Sequence, residues 1–194
     1  MRVFITGATG YIGMNVALAL RRAGHEVWGM VRSAEKGIKF SRHEIHPVVG
    51  SLDDPTSYLP IAERSNILVT AAEDHSNAAT LDKLTIESLL SVGNKGPQPK
   101  TFIYTSGTWI YGESGPTVVD ESSPVDPVRL KPWRPSHEMM VLNAPKRSRH
   151  CRAPRMCLWT SRGHDRALVR RTIQGTVPAR RRHRAEPLGD DSCR

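Results

Sequence analysis

The first thirty residues hold the feature that most restricts the fold, a glycine-rich turn between a strand-like run and a helix-like run. The opening "MRVFITGATGYIG" places the apolar segment Val3–Ile5 before Gly7, Gly10 and Gly13. "MNVALALRRAGHE" then has the composition of a helix that ends at Gly24, and "EVWGMV" that of a second strand. A unit of this kind predicts an α/β domain with a doubly wound parallel sheet.

Each glycine has its own physical role in such a turn. Gly7 allows the chain to turn sharply after the strand, and Gly10 leaves the backbone bare where a pyrophosphate approaches. Gly13 lets the helix pack close to the strand, and the helix N-terminus offers N–H groups to phosphate. The turn therefore predicts a dinucleotide site, with a glycine-rich turn that binds no ligand as the alternative.

The spacing G-x-x-G-x-x-G within "TGATGYIG" (Thr6–Gly13) resembles that of the extended and atypical short-chain dehydrogenase/reductases, the NAD(P)-dependent epimerase/dehydratase group. The resemblance implies a Rossmann fold and hydride transfer between a nicotinamide and a carbonyl or alcohol carbon of a small-molecule substrate. It also implies that Tyr11 and Ile12 contact the cofactor along with the three glycines. Neither the substrate nor the oligomeric state follows from it.

Two positions bear on the adenosine end of the cofactor. Val31 and Arg32 follow the second strand, where NAD-preferring relatives usually carry an acid, and a guanidinium there pairs well with a 2′-phosphate. This favours NADP(H), with NAD(H) possible and a solvated Arg32 as the alternative. By resemblance Asp53 contacts the adenine amino group, while Asp53 or Asp54 could equally cap the next short helix.

Later segments continue the alternation of strands and helices. "SNILVTAAEDHS" predicts a fourth strand over Asn66–Ala71, and the small side chain of Ala71 would let a cofactor lie close to the backbone. "AATLDKLTIESLLSVG" has the apolar period of a helix that stops at Gly93, and "KTFIYTSGTWIYG" predicts a fifth strand. Ligands of such sheets bind at the carboxyl ends of the strands.

The catalytic motifs of the families that the chain resembles are only partly present. "YTSGTWIYG" resembles their segment after strand five, but Gly107 stands at the usual Ser/Thr position, so Ser106 or Thr108 would have to serve, unless both only bond within the turn. No Tyr-x-x-x-Lys occurs. "WRPSHE" places Arg134 at the lysine position, where it could clamp the ribose or a phosphate. His137 is a conceivable proton-transfer substitute or a surface or packing residue.

The charge of +9 is confined to the end of the chain. Residues 1–144 hold 14 Lys and Arg against 15 Asp and Glu, a net charge of −1, whereas residues 145–194 hold 14 against 4, a net charge of +10. All three cysteines also lie in this segment, without convincing metal spacing. We therefore predict a Rossmann domain over residues 1–144 and an irregular Arg-rich tail over residues 145–194.

Back-translation suggests an origin for the tail. "RAPRMCLW" can be encoded so that reading one base later gives Val-Leu-Arg-Gly-Cys-Val-Tyr-Gly, which resembles the family's "VLRPxxVYG". "RAEPLGDDSCR" can be encoded so that the same shift yields Arg-Trp-Ala-Met-Ile-His-Val, similar to "RWAxIHVDD". A frameshifted or truncated relative is the leading hypothesis, and a disordered tail or a nucleic-acid-binding arm are the alternatives.

The chain shows no secretory leader and no run of the ~18–20 apolar residues that a membrane helix needs. The sequence thus predicts a soluble cytoplasmic protein with no membrane partner and no metal.

Overall fold

The computed structural model describes residues 1–93, 100–113, 116, 118–120, 123–126 and 131–144. The described strands are β1 (Arg2–Thr6), β2 (Glu26–Val31), β3 (His46–Val49), β4 (Ile67–Thr70) and β5 (Thr101–Tyr104). The helices are α1 (Tyr11–Arg22), α2 (Ala34–Ser41), α3 (Leu59–Arg64), α4 (Ala78–Gly93) and α5 (Arg134–Leu142). Short 3-10 helices cover Pro55–Ser57 and Thr108–Tyr111.

The five described strands form one parallel sheet in the order β3-β2-β1-β4-β5. The order reverses beside β1, because β2 and β4 flank it on opposite sides. That reversal is the topological switch point, where open α/β sheets bind their ligands. The predicted Rossmann-type doubly wound sheet is confirmed.

Strand alternation divides the buried side chains between the two faces of the sheet. Phe4, Leu68 and Tyr104 belong to one cluster with apolar residues of α3, α4 and α5. On the opposite face Phe40 of α2 packs directly over Gly29, where an added Cβ would lie 2.7 Å from the ring. Fully burying a side chain of this size stabilises the fold by roughly 1.5–3 kcal/mol, so both helix layers hold the sheet firmly.

The helix and strand limits agree closely with the sequence-based ones in the first half of the chain. The helix predicted to stop at Gly93 spans Ala78–Gly93. Gly24 follows the end of α1 with a φ of +83°, and its N–H donates to Arg21 O over 2.9 Å, as expected of a C′ glycine. Residues 145–194 lie outside the described residues, so the boundary at residue 144 stays a prediction.

None of the helices in the described ranges is long and apolar enough to cross a lipid bilayer.

Candidate functional site

The turn after β1 brings three stretches of backbone into direct contact. Gly7 has a φ of +69°, and a Cβ there would lie 2.3 Å from Ala71 O at the end of β4. A Cβ on Gly13 would lie 2.2 Å from Gly7 O. Because real Cβ atoms do not approach backbone this closely, only glycine lets the turn, α1 and β4 meet here.

Gly10 differs from the other two glycines because an added Cβ would meet no backbone atom of the described residues closer than 3.3 Å. Its Cβ would meet a single atom, Gly7 O at 3.3 Å. Gly10 is exposed and forms the N-cap of α1 in an extended conformation, with no side-chain cap and no acidic residue in the first helical turn. The helix N-terminus therefore has no side-chain cap and no nearby acid to oppose an anion that approaches its N–H groups.

Tyr11, Ile12 and Ala71 border the same turn. Tyr11 is the first residue of α1 and is 65% exposed, while Ile12 is partly buried beside it. Ala71 follows β4, and its N–H donates to Thr6 O over 3.2 Å. The structure thus brings together, at the switch point of the sheet, the predicted cofactor residues that follow β1, begin α1 and follow β4.

The other two predicted cofactor residues follow β2 and β3. Arg32 comes directly after β2, and its Nη2 lies 3.6 Å from Asp74 Oδ2 in the loop after β4. Asp53 is exposed in the turn after β3. Asp54 is the residue that caps the following 3-10 helix, since its Oδ1 accepts a hydrogen bond from Thr56 N over 3.1 Å. Asp54 is therefore the helix cap, and the contact of Asp53 with an adenine amino group stays a prediction.

Of the predicted catalytic residues, Ser106 and Thr108 follow β5. The Ser106 hydroxyl donates to Oε1 of Glu138, a buried residue of α5. Thr108 begins the 3-10 helix Thr108–Tyr111, and its side chain lies outside the described part of the chain. The Ser106 bond ties the loop after β5 to α5.

Arg134 is buried at the start of α5, with 6% of the residue exposed. Its Nη2 donates to Glu73 Oε2 over 2.8 Å, and its Nη1 donates to Thr105 O over 3.2 Å and to the Tyr104 hydroxyl over 3.3 Å. The guanidinium also lies 4.6 Å from the centre of the Trp133 ring. These hydrogen bonds all go to protein atoms, and the clamping of a ribose or a phosphate by Arg134 stays a prediction.

Glu73 receives a second cation from Lys131, whose Nζ donates to Oε1. Burial by itself raises the pKa of the Glu73 carboxyl, but the Lys131 hydrogen bond and the charges of Arg134 and Lys131 outweigh it and lower the pKa below its ordinary value. Glu73 is therefore charged at neutral pH and joins the loop after β4 to the segment around the start of α5.

A second set of hydrogen bonds connects Tyr104, a partner of Arg134, to Asp82 and His137. The Tyr104 hydroxyl donates to Asp82 Oδ2 over 2.7 Å, and His137 Nδ1 lies 2.7 Å from the same oxygen. Burial, followed by the Asp82 charge, raises the pKa of Tyr104 far above its usual range. We call the buried residues Asp82, Tyr104, Arg134 and His137, together with the partly buried Glu73, the buried polar cluster. In the cluster Tyr104 is a fixed hydroxyl rather than a proton donor for chemistry near neutral pH.

Sequence reasoning missed Glu73, Asp82 and Tyr104. Only Asp82 carried a usable signal, because it shares the buried face of α4 with Ile86 and Leu89, four and seven residues further on. An acid on an otherwise apolar helical face predicts a buried polar partner, but not which one. Of the two alternatives for His137, the structure favours a packing position, since only 5% of it is exposed.

Among the described residues no group of three or more His, Cys, Asp or Glu side chains could hold a metal ion. The three cysteines, Cys151, Cys157 and Cys193, lie outside those residues.

Residues 3–135 match the sequence profile of the NAD dependent epimerase/dehydratase family. An uncharacterised protein of Schizosaccharomyces pombe is 36% identical over 120 residues, covering 59% of this chain and 40% of its own length. A Candida albicans protein provisionally named an NADPH-dependent methylglyoxal reductase is 27% identical over 157 residues, covering 69% of this chain and 44% of its own length. The chain thus spans less than half of each of these relatives.

Among solved structures, dTDP-glucose 4,6-dehydratase of Bacillus anthracis, in complex with NAD, superposes with a TM-score of 0.65 at 17% identity. The superposition covers 77% of this chain and 52% of that one. At this identity the likeness concerns the fold alone.

Proposed function

Because the chain belongs to the NAD-dependent epimerase/dehydratase family, we propose that residues 1–144 bind a nicotinamide dinucleotide, with NADP(H) preferred, at the carboxyl edge of the sheet. The observation that carries the proposal is the contrast among the glycines of the turn. Gly7 and Gly13 are required by backbone contacts within the protein, whereas Gly10 is exposed at the start of α1, where no side chain caps the helix. A dinucleotide pyrophosphate has the charge and the shape for that position.

The chain's own residues would divide the work of binding. Gly10 and the first N–H groups of α1 would hold the pyrophosphate, and Ala71 would leave room for the cofactor beside β4. Arg32 would pair with a 2′-phosphate, and Asp53 would accept from the adenine amino group. The bound cofactor supplies hydride donation or acceptance at its nicotinamide ring. A relative named for NADPH-dependent reduction supports the preference for NADP(H).

We propose further that the 194-residue chain turns over no substrate by itself. The sequence has no Tyr-x-x-x-Lys, and the basic residue at the lysine position, Arg134, is bonded to Glu73, Tyr104 and Thr105. Tyr104, the phenol beside Arg134, is hydrogen-bonded to Asp82 and is thus not free to carry a proton to a developing alkoxide. Ser106, bonded to Glu138, could orient a carbonyl oxygen. The chain spans about half the length of the solved dehydratase structure with which it superposes.

A second candidate function is a non-catalytic NADP sensor or interaction protein. The hydrogen bonds of Arg134 to Thr105 and Glu73 favour this second function, because they give a structural role to the residue at the family's lysine position. Both candidates require cofactor binding and differ in what binding does.

The test is a fluorescence titration of the full chain with NADPH and with NADH, followed by an assay for NADPH oxidation with a panel of aldehydes and ketones. We expect saturable binding, tighter for NADPH, and no oxidation above the rate without protein. Carbonyl-dependent oxidation would overturn the loss of catalysis and leave the binding proposal standing. Failure to bind either dinucleotide would overturn the binding proposal and both candidate functions.

A further inference from the structure

Two adjacent acids after β4 reach in different directions. Glu73 binds Lys131, which precedes α5, and Arg134, the first residue of α5. Asp74 instead forms an ion pair with Arg32, which follows β2. The strand order puts β1 and its glycine turn between β2 and β4, so this ion pair joins the two flanks of the proposed dinucleotide site.

Asp74 is held in place independently of Arg32. Its Oδ1 accepts hydrogen bonds from Ser76 N over 2.9 Å, from Asn77 N over 3.3 Å and from the Ser76 hydroxyl. The Ser76 hydroxyl makes the largest contribution to lowering the pKa of Asp74, followed by the backbone N–H of Ser76. Asp74 therefore presents a fixed negative charge at neutral pH, with Oδ2 directed to Arg32.

Arg32 is the exposed partner of the pair, with 71% of its side chain accessible against 26% for Asp74. An ion pair at such a site contributes little stability, because water and salt screen it. A phosphate monoester carries up to two negative charges and accepts more hydrogen bonds than one carboxylate oxygen. It can therefore compete with Asp74 for the Arg32 guanidinium.

A phosphate bound to that guanidinium in its observed position would lie close to Asp74. The ion-pair distance of 3.6 Å plus one further N···O contact puts the two anions roughly 6 Å apart. For charges of −1 and −2 in water, Coulomb's law gives a penalty of about tenfold in affinity, reduced to about threefold by salt at physiological strength. NADH has no 2′-phosphate and does not meet this penalty.

We propose that Asp74 is a specificity-determining residue that weakens NADPH binding by holding Arg32 and repelling the 2′-phosphate. The inference rests on the proposed dinucleotide site. It assigns Asp74 the task of keeping the preference between the two cofactors small, although Arg32 alone would make that preference large.

The test is Asp74→Asn, which keeps an Oδ1 acceptor for the Ser76 and Asn77 hydrogen bonds and removes the charge. The matched control is Glu44→Gln, which also removes one carboxylate and one arginine ion pair, that of Arg21, from a position just before β3. Both full-length variants and the parent chain are titrated with NADPH and NADH, with urea unfolding as the check on folding.

We expect Asp74→Asn to tighten NADPH binding about three- to tenfold at low salt and to change NADH binding less than about twofold. The gain in NADPH affinity should shrink at high salt, and Glu44→Gln should change neither affinity by more than about twofold. Unchanged or weaker NADPH binding by a folded Asp74→Asn variant, or an equal gain for NADH, would overturn the role of Asp74 alone. A parent chain that binds neither dinucleotide would overturn the proposed function as well.

Discussion

Gly10→Ala and Gly13→Ala place the same methyl group at two positions of one turn and should affect different properties. Gly13→Ala should lower stability, and Gly10→Ala should weaken NADPH binding. At Gly13 the added Cβ would lie 2.2 Å from Gly7 O and 2.7 Å from Gly7 C, both backbone atoms that cannot move without shifting β1 or α1. Overpacking of this kind costs about 1–3 kcal/mol or more of unfolding free energy. We expect Gly13→Ala to fall at or beyond the upper end of that range.

At Gly10 the contact is 3.3 Å to a single oxygen, so a small shift relieves it. Alanine is a poorer N-cap than glycine, but it also restricts the unfolded chain, and the two effects nearly cancel. The unfolding free energy of Gly10→Ala should therefore stay within about 1 kcal/mol of the parent value. Its methyl group would occupy the approach of the pyrophosphate, so we expect at least a tenfold loss of NADPH affinity, about 1.4 kcal/mol.

Urea unfolding gives the stabilities, and fluorescence titration with NADPH gives the affinities. The reasoning would be refuted by a Gly10→Ala variant that binds NADPH as the parent chain does. It would also be refuted by a Gly13→Ala variant as stable as the parent, because the close approach of α1 to the turn would then not exist.

The remaining predictions concern the buried polar cluster and the end of the chain. Because the pKa of Glu73 is lowered in the folded chain, its contribution to stability is complete above the unfolded value of 4.5 and is lost as pH falls through the lower folded value. The stability difference between the parent and Glu73→Gln, measured by urea unfolding, should therefore shrink as pH falls below 4.5, and a constant difference would contradict the ion pairs described for Glu73. Tyr104→Phe leaves Asp82 and Arg134 each without one buried hydrogen-bond partner, so it should lower the unfolding free energy measured in urea by about 1–2 kcal/mol. NADPH affinity should change less than about twofold. Unchanged stability would rule out those hydrogen bonds. The out-of-frame interpretation of residues 145–194 predicts that nucleotide sequencing finds Val-Leu-Arg-Gly-Cys-Val-Tyr-Gly and Arg-Trp-Ala-Met-Ile-His-Val in one shifted frame, and their absence would eliminate it.

Structural features that depend on residues close together in the chain could be predicted from the sequence. The glycine turn, the end of α1 at Gly24 and the helix Ala78–Gly93 are each encoded within a few residues, so spacing and turn chemistry were sufficient. Choosing between Asp53 and Asp54 as the cap was not possible, because adjacent acids before a proline carry the same signal. Only the folded structure shows that the Asp54 side chain caps the 3-10 helix.

The buried polar cluster could not be predicted because its members are far apart in the chain. Asp82 and His137 are separated by 55 residues, and Glu73 and Arg134 by 61. Resemblance placed Arg134 at a cofactor-binding position, but nothing in the nearby sequence indicates that Glu73 and Tyr104 take up its hydrogen bonds. Such partners appear only when β4, β5 and α5 pack together.

Calorimetric titration of the full 194-residue chain with NADPH tests the central claim most directly. We expect one saturable site per chain and weaker binding of NADH. The Gly10→Ala variant should remain folded and lose most of the heat signal. A folded parent chain that gives only the heat of dilution with both NADPH and NADH would contradict it.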